Sequence, residues 1–419
     1  MRVLVCSSER AGVLAPLIGL ALQLRDRGHD IEFLTHSSAM RRVEEVGLHA
    51  TAPGYEGGET FRFSAFGEPA QVERELIRLR QVVKRYRPDV VLTHMFCMAP
   101  LLHRIQAGQP TAVMGFASFL WNEVVNTPDA PPGSTVLDRT LKLCDRLHRA
   151  VDPKEANAWI RKRQADARGE LVASGLLGDR FMVRSVEPWE SGSTLPANVS
   201  LVGPCLWEPE YDRDAAWQSL GARFGSDETP ILYIDLGPRL STSFIWPGVL
   251  EAVADLGVRA VTATLPEQHH GALPRNLVLA NRGYQRFILE RSAAAVSLAR
   301  TTPVLGAITS GVPILALPLD GETSVNAKRI VATDCGMSVD RHEVSEASIG
   351  AALTDLMMPG AHLGRFLVKQ AFCAVDGFEI AITAAESVGA NTSSALNGRS
   401  AVLNPPMRAS GCCVVTPQE

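Results

Sequence analysis

Nowhere in the 419 residues does an apolar run reach the roughly 18 residues that a membrane-crossing helix needs, so no span is expected. The opening "MRVLVCSSER" turns polar after one short apolar strand, and without an h-region it is not read as a secretory signal. The eight cysteines show no metal-ligand spacing, and their only close pair, Cys412 and Cys413, lies in a polar tail. No metal site is expected, and the thiols are read as reduced in a cytoplasmic protein. A net charge of -4 supplies no basic field, which argues against a nucleic-acid partner. Neither half carries a G-x-G-x-x-G turn, which disfavours a nicotinamide-dependent oxidoreductase. There is no short-period repeat.

What is present is the composition of a globular protein able to bury large cores, with 46% hydrophobic and 21% charged residues. At about 100 to 200 residues per domain, two domains fit best. The stretch "CSSERAGVLAPLIGLALQLRDRGHDIEFLT", Cys6 to Thr35, reads as strand end, polar turn, amphipathic helix closed by Gly28, and second strand. The pattern continues through a short helix ending at Gly47, a long helix broken at Pro88, a strand Val90 to Leu92, and a further helix and strand ending near Phe116. A helical stretch is predicted around Leu137 to Arg163, and "NVSLVGP" reads as the last strand of this half. A second series of strands is predicted at Ile231–Leu236, Arg259–Ala263, Leu277–Leu279, Ala295–Ser297 and Ile314–Leu317. Strands alternating with helices imply parallel, doubly wound sheets. The expected organisation is a Rossmann-like domain over 1–205, a linker over 206–228, a second Rossmann-like domain over 229–390, and a flexible tail over 391–419.

Four strings in order, "LAPLIGLALQLRDRGHDIEFLT", "NVSLVGP", "ILYIDLG" and "SGVPILALPLDGETSVNAKRI", resemble the GT-B glycosyltransferases that decorate antibiotics and other small lipophilic molecules. The resemblance spans about residues 1 to 390. It implies two α/β domains facing across a cleft, the first holding the acceptor and the second a nucleotide-diphosphate sugar, which serves as co-substrate without a separate cofactor. The linker stretch Trp207 to Asp214 is expected to act as a hinge.

Three departures from the family pattern fall on chemically sensitive positions. The family's "GHxxP" turn, whose histidine takes the acceptor proton, is "GVLAP" here, so Gly12 and Pro16 remain and the base position is Val13. The glycine-rich "HGGxGT" turn, which holds diphosphate on backbone N–H groups at a helix start, is "LARTTP", Leu298 to Pro303. Where the family has an acid and a glutamine on the sugar hydroxyls, this chain has Glu322 and Thr323.

Candidate donor-site residues are therefore Arg300, Thr301 and Thr302 at the altered phosphate turn, Glu322 and Thr323, Arg239 beyond "ILYIDLG", and Tyr284 at the family's base-stacking position. Plain alternatives are a helix cap, surface charges and a half-buried tyrosine. For a displaced general base, His94 at the end of "DVVLTH" is the first candidate and Glu9 the second. A structural histidine and an ion pair of Glu9 with Arg10 are the bland readings. Val13, Met95, Phe96, Phe116, Phe119 and Trp121 follow strand ends and are expected to line a pocket for an aromatic or polyketide-like acceptor, against the alternative of ordinary core. Two functions follow. One is inverting transfer of a sugar or deoxysugar to a small lipophilic acceptor. The other is a glycosyltransferase-like protein repurposed for binding or different chemistry on such a molecule, without nucleotide-sugar use. The sequence leaves room for a homodimer without setting the oligomeric state.

Overall fold

The computed structural model describes residues 1–51, 60–116, 177–190, 197–212, 229–237, 243–265, 273–280, 284–319 and 321–396, with scattered positions in 142–150, 195 and 214–220. The first sheet contains β1 (Arg2–Ser7), β2 (Asp30–Thr35), β3 (His49–Thr51), β4 (Val90–His94), β5 (Thr111–Gly115), β6 (Arg180–Val183) and β7 (Val199–Leu201). Their spatial order is β3-β2-β1-β4-β5-β6-β7, and every adjacent pair is parallel. The second sheet contains β8 (Ile231–Asp235), β9 (Arg259–Thr262), β10 (Leu277–Leu279), β11 (Ser292–Ser297), β12 (Ile314–Ala316) and β13 (Gly336–Ser338), in the order β10-β9-β8-β11-β12-β13. Both sheets thus reverse direction beside their first strand, the doubly wound arrangement in which ligands sit beyond the carboxyl ends at the reversal.

The central strands are continuous apolar runs because helices cover both faces. Val3, Leu4, Val5 and Cys6 of β1 are all 0% exposed. One face packs on α1 (Ala11–Asp26) and α2 (Ser37–Glu44), the other on α3 (Pro69–Tyr86) and α4 (Met98–Ala107). In α3 the buried Val72, Leu76, Leu79 and Val82 recur at helical spacing, and the helix closes at Arg87, in left-handed backbone, ahead of Pro88. The second sheet is covered by α5 (Trp246–Asp255), α6 (Gln285–Leu289), α7 (Thr301–Ser310), α8 (Gly321–Ala332), α9 (Glu346–Leu356) and α10 (Gly364–Cys373).

The expected strands agree with those seen to within two or three residues at their ends, while β3, β6 and β13 went unpredicted. They are three or four residues long. A run that short carries no period of its own and becomes a strand because a parallel neighbour offers a ladder. The last helix, α11 (Gly377–Leu396), departs from the expected division. Its Ala381, Ile382, Ala385 and Val388 are buried in the first domain's core, not the second's. Gly19 of α1 makes this contact possible, since a Cβ there would lie 2.6 Å from Phe378 Cζ and 2.7 Å from Trp207 Cβ. Arg27 pairs with Glu379, and His29 Nε2 lies 2.8 Å from Glu386 Oε1. The helix also continues through Leu396, beyond the expected start of the tail at 391. The predicted helical stretch around 137–163 and the tail from 397 lie largely or wholly outside the described residues.

Candidate active site

The carboxyl ends of the two sheets open into one cleft of about 3530 Å³. Glu9 and Arg10 after β1, Met95 and Phe96 after β4, and Phe116 after β5 line it from one side. Asp235 at the end of β8 and Gly237 after it, and Arg300, Thr301 and Thr302 after β11, line it from the other. Pro204 and Cys205 and the linker residues Leu206 to Tyr211 also line it. Two helix N-termini come close across it, for a Cβ on Gly12 of α1 would lie 3.4 Å from Thr302 Oγ1 of α7.

The acceptor-side wall is aromatic. Phe96 packs edge-on against Phe63 at 5.2 Å, Phe66 at 5.2 Å and Phe116 at 5.9 Å between ring centroids. The Arg10 guanidinium lies 4.1 Å from the centre of the Phe63 ring. Val13, 2% exposed, joins this apolar lining, so the family's base position here is part of a greasy surface. Phe119 and Trp121 lie outside the described residues. Of the expected acceptor residues, Val13, Met95, Phe96 and Phe116 are brought together.

His94 is not a cleft residue. It is 0% exposed, its ring packed 5.3 Å from Phe96 and 5.1 Å from Phe116. The Phe96 backbone N–H donates to Nδ1 at 3.3 Å, which places the ring proton on Nε2 and leaves no lone pair for a substrate proton. Burial, aided by the Arg184 charge, lowers its pKa to about 3. The expected role as first-choice base is corrected on these grounds: the end of a strand at the cleft still turned its side chain into the core. Glu9 does line the cleft, and its Oε2 accepts from the Phe63 N–H at 2.9 Å. Beneath it, Glu75 accepts from the Phe61 N–H at 2.7 Å and from Gln71 Nε2 at 3.0 Å. Burial raises the Glu75 pKa to about 7. Two carboxylates thereby pin the backbone that carries Phe61 and Phe63.

On the donor side the loop without glycine still makes the turn. Ala299 takes up left-handed backbone at φ 59°, which a glycine usually supplies, and its carbonyl accepts from Asn326 Nδ2 at 2.9 Å. Arg300 precedes α7 and lays its guanidinium against Gly237, so that a Cβ there would meet Nη1 at 2.9 Å. Glu322 Oε1 accepts from the Thr301 N–H at 3.1 Å and from Thr301 Oγ1 at 2.7 Å, filling the anion position at the start of α7. Thr323 turns its hydroxyl to the Leu319 N–H at 2.9 Å. Tyr284 rests on Tyr211, ring centres 5.0 Å apart, while its neighbours Gln285 and Arg286 line the cleft. Arg239 lies outside the described residues. Among the described residues no group of three or more His, Cys, Asp or Glu is placed to hold a metal ion, and no helix is long and apolar enough to cross a membrane.

The family model described as UDP-glucoronosyl and UDP-glucosyl transferase matches residues 278–361, the stretch that carries β11, α7 and α8. A PGL/p-HBAD biosynthesis glycosyltransferase of Mycobacterium tuberculosis is 24% identical over 288 residues, covering 66% of this chain and 65% of that relative. The chain thus spans just under two thirds of that relative's length. The solved glycosyltransferase of kitacinnamycin superposes with a TM-score of 0.67 at 18% identity, covering 92% of this chain and 98% of its own. The chain has the GT-B fold of these glycosyltransferases. Glycosyltransferase VinC, solved in complex with DTDP, shares this GT-B fold with a TM-score of 0.66 at 18% identity, over 93% of this chain and 100% of its own.

Sequence reasoning missed Phe63, Phe66, Asn326 and Arg184. The spacing "FRFSAF" was a visible aromatic signal for the first two. Arg184, buried just past β6, was hidden because β6 itself was not recognised.

Proposed function

We propose that this protein transfers a sugar from a nucleoside-diphosphate sugar to a small lipophilic acceptor, with inversion. The observation that carries the reading is the meeting, in one cleft, of an aromatic wall and a cation-flanked helix N-terminus. The wall of Phe63, Phe66, Phe96 and Phe116 suits a flat apolar acceptor. The start of α7, with Arg300 beside it and the Thr301 and Thr302 hydroxyls, suits the diphosphate. In this reading the acceptor oxygen attacks the anomeric carbon in line, the bond from that carbon to the diphosphate oxygen breaks, and Glu9 takes the acceptor proton. The nucleoside diphosphate leaves as the helix dipole and guanidinium take up its developing charge. Val13 contributes surface to the acceptor pocket and no proton transfer.

The test is direct transfer. The protein is incubated with uridine- and thymidine-diphosphate sugars and a phenolic polycyclic acceptor, and products are read by mass spectrometry and anomeric configuration. Glu9→Gln should lower turnover about 100-fold with little change in acceptor affinity, the usual scale for loss of a general base. A glycoside of retained configuration, or full activity of Glu9→Gln, would refute the mechanism. A second reading is favoured by Glu322 occupying the anion position: a repurposed fold that binds the lipophilic molecule without sugar transfer. It prevails if the acceptor binds and no sugar donor is consumed.

A further inference from the structure

Arg184 stands at the first position past β6, 2% exposed, between the two domains. Its Nε donates to the Pro204 carbonyl at 3.0 Å and its Nη1 to Thr302 Oγ1 at 2.9 Å, which brings the guanidinium to the first turn of α7 in the opposite domain. Nη2 has no hydrogen-bond partner among the described residues. No described carboxylate forms an ion pair with Arg184, and burial lowers its pKa to about 10. A buried guanidinium with one nitrogen unpartnered and only the Glu322 charge acting on it at longer range is unfavourable, so it favours an anion brought within its reach. The place for that anion is marked twice over. The start of the ten-residue α7 favours negative charge, and Glu322 already sits there on the N–H and hydroxyl of Thr301. Arg184, Phe116, Thr301 and Asn326 line one small chamber, and Phe116 and Thr301 also line the cleft.

We propose that Arg184, supplied by the acceptor-side domain, pairs with the diphosphate of the donor, and that Glu322 is the stand-in carboxylate this diphosphate displaces from the start of α7. The inference rests on reading the cleft as a donor site. It assigns the charge lost with the glycine-rich turn to the facing sheet, whereas the sequence offered only Arg239 and Arg300 on the donor side. It also ties donor binding to closure, because a diphosphate held by both Arg184 and α7 bridges the two domains. Glu322 caps the start of α7 through the N–H and hydroxyl of Thr301, at the cost of competing with the ligand.

The experiment is calorimetric titration of the native protein, Arg184→Met, Arg184→Lys and Glu322→Gln with uridine and thymidine diphosphates and with the uncharged nucleosides. Arg184→Met should weaken diphosphate binding about tenfold or more, the scale of a lost charge-assisted hydrogen bond, while nucleoside affinity stays within about twofold. Arg184→Lys, which keeps the charge and loses the fork, should fall between. Glu322→Gln, which removes the competing charge, should tighten diphosphate binding about tenfold. A merely structural Arg184 would weaken nucleoside and diphosphate alike, and that result overturns the proposal. If the native protein and all variants bind diphosphate equally, the proposal falls and the donor-site reading stands. If neither the native protein nor Glu322→Gln binds any diphosphate, both fall together. Binding by Glu322→Gln alone supports the displacement.

Discussion

Glu75 offers a measurement in which the structure sets both sign and size. Its carboxyl is 2% exposed, and burial moves its pKa from 4.5 to about 7. Between those two values the folded protein holds a proton that the unfolded chain has released, so stability falls as pH rises through this window. At 1.36 kcal/mol per pH unit, the displacement amounts to about 3 kcal/mol once the group is fully charged above pH 7. Glu75→Gln keeps a carbonyl to accept from the Phe61 N–H and removes the buried charge. The new amide hydrogens need acceptors, and that cost is the same at every pH. Urea unfolding of native and variant at pH 5 and pH 8 separates the two effects, because the constant cost cancels in the difference of differences. The variant should gain about 2.5 kcal/mol relative to native on going from pH 5 to pH 8, since about 0.8 kcal/mol of the effect is already present at pH 5. A stability difference that does not change with pH would refute the reasoning, and would mean that the carboxyl is ionised in the fold at no cost.

Three further outcomes are expected. His94→Gln should leave the pH dependence of turnover unchanged, since the native ring stays neutral down to about pH 3, and a lost titration near neutrality in the rate profile would reinstate His94 as base. Gly19→Leu should destabilise the protein by about 1–3 kcal/mol and expose the 377–396 helix to limited proteolysis, because Phe378 and Trp207 occupy the space a side chain needs; unchanged protection would show that α1 and α11 part freely. Glu190 pairs with Arg329 at 2.6 Å between the domains, so Glu190→Ala should cost about 1–3 kcal/mol by removing this charge-assisted hydrogen bond. The double variant Glu190→Ala with Arg329→Met should recover most of that loss in thermal unfolding, and a sum of two independent losses would argue against the pair.

Much of the framework was legible because parallel strands buried on both faces leave continuous apolar runs, as in "RVLVC" and "ILYID", and because helices between them repeat at 3.6 residues. The cleft-lining positions of Glu9, Val13, Phe96, Arg300 and Thr301 followed from the same logic, since carboxyl-end loops of such sheets face the ligand. The sequence could not tell that His94, one residue before that loop, turns inward, since the direction of a side chain at a strand end depends on what packs beside it.

By itself, then, the amino-acid sequence determined two tandem Rossmann-like halves, their resemblance to GT-B glycosyltransferases, and the valine and the glycine-free turn at two of that family's motif positions. These are local properties, written in periodicity and in the chemistry of short strings. Only the tertiary structure decided that the last helix closes back on the first domain, that Glu322 caps Thr301 twenty-one residues away, and that Arg184 reaches Thr302 across 118 residues of chain. Contacts between residues so far apart follow from how two sheets are docked, and that docking is set by the summed packing of many side chains, which no short string records.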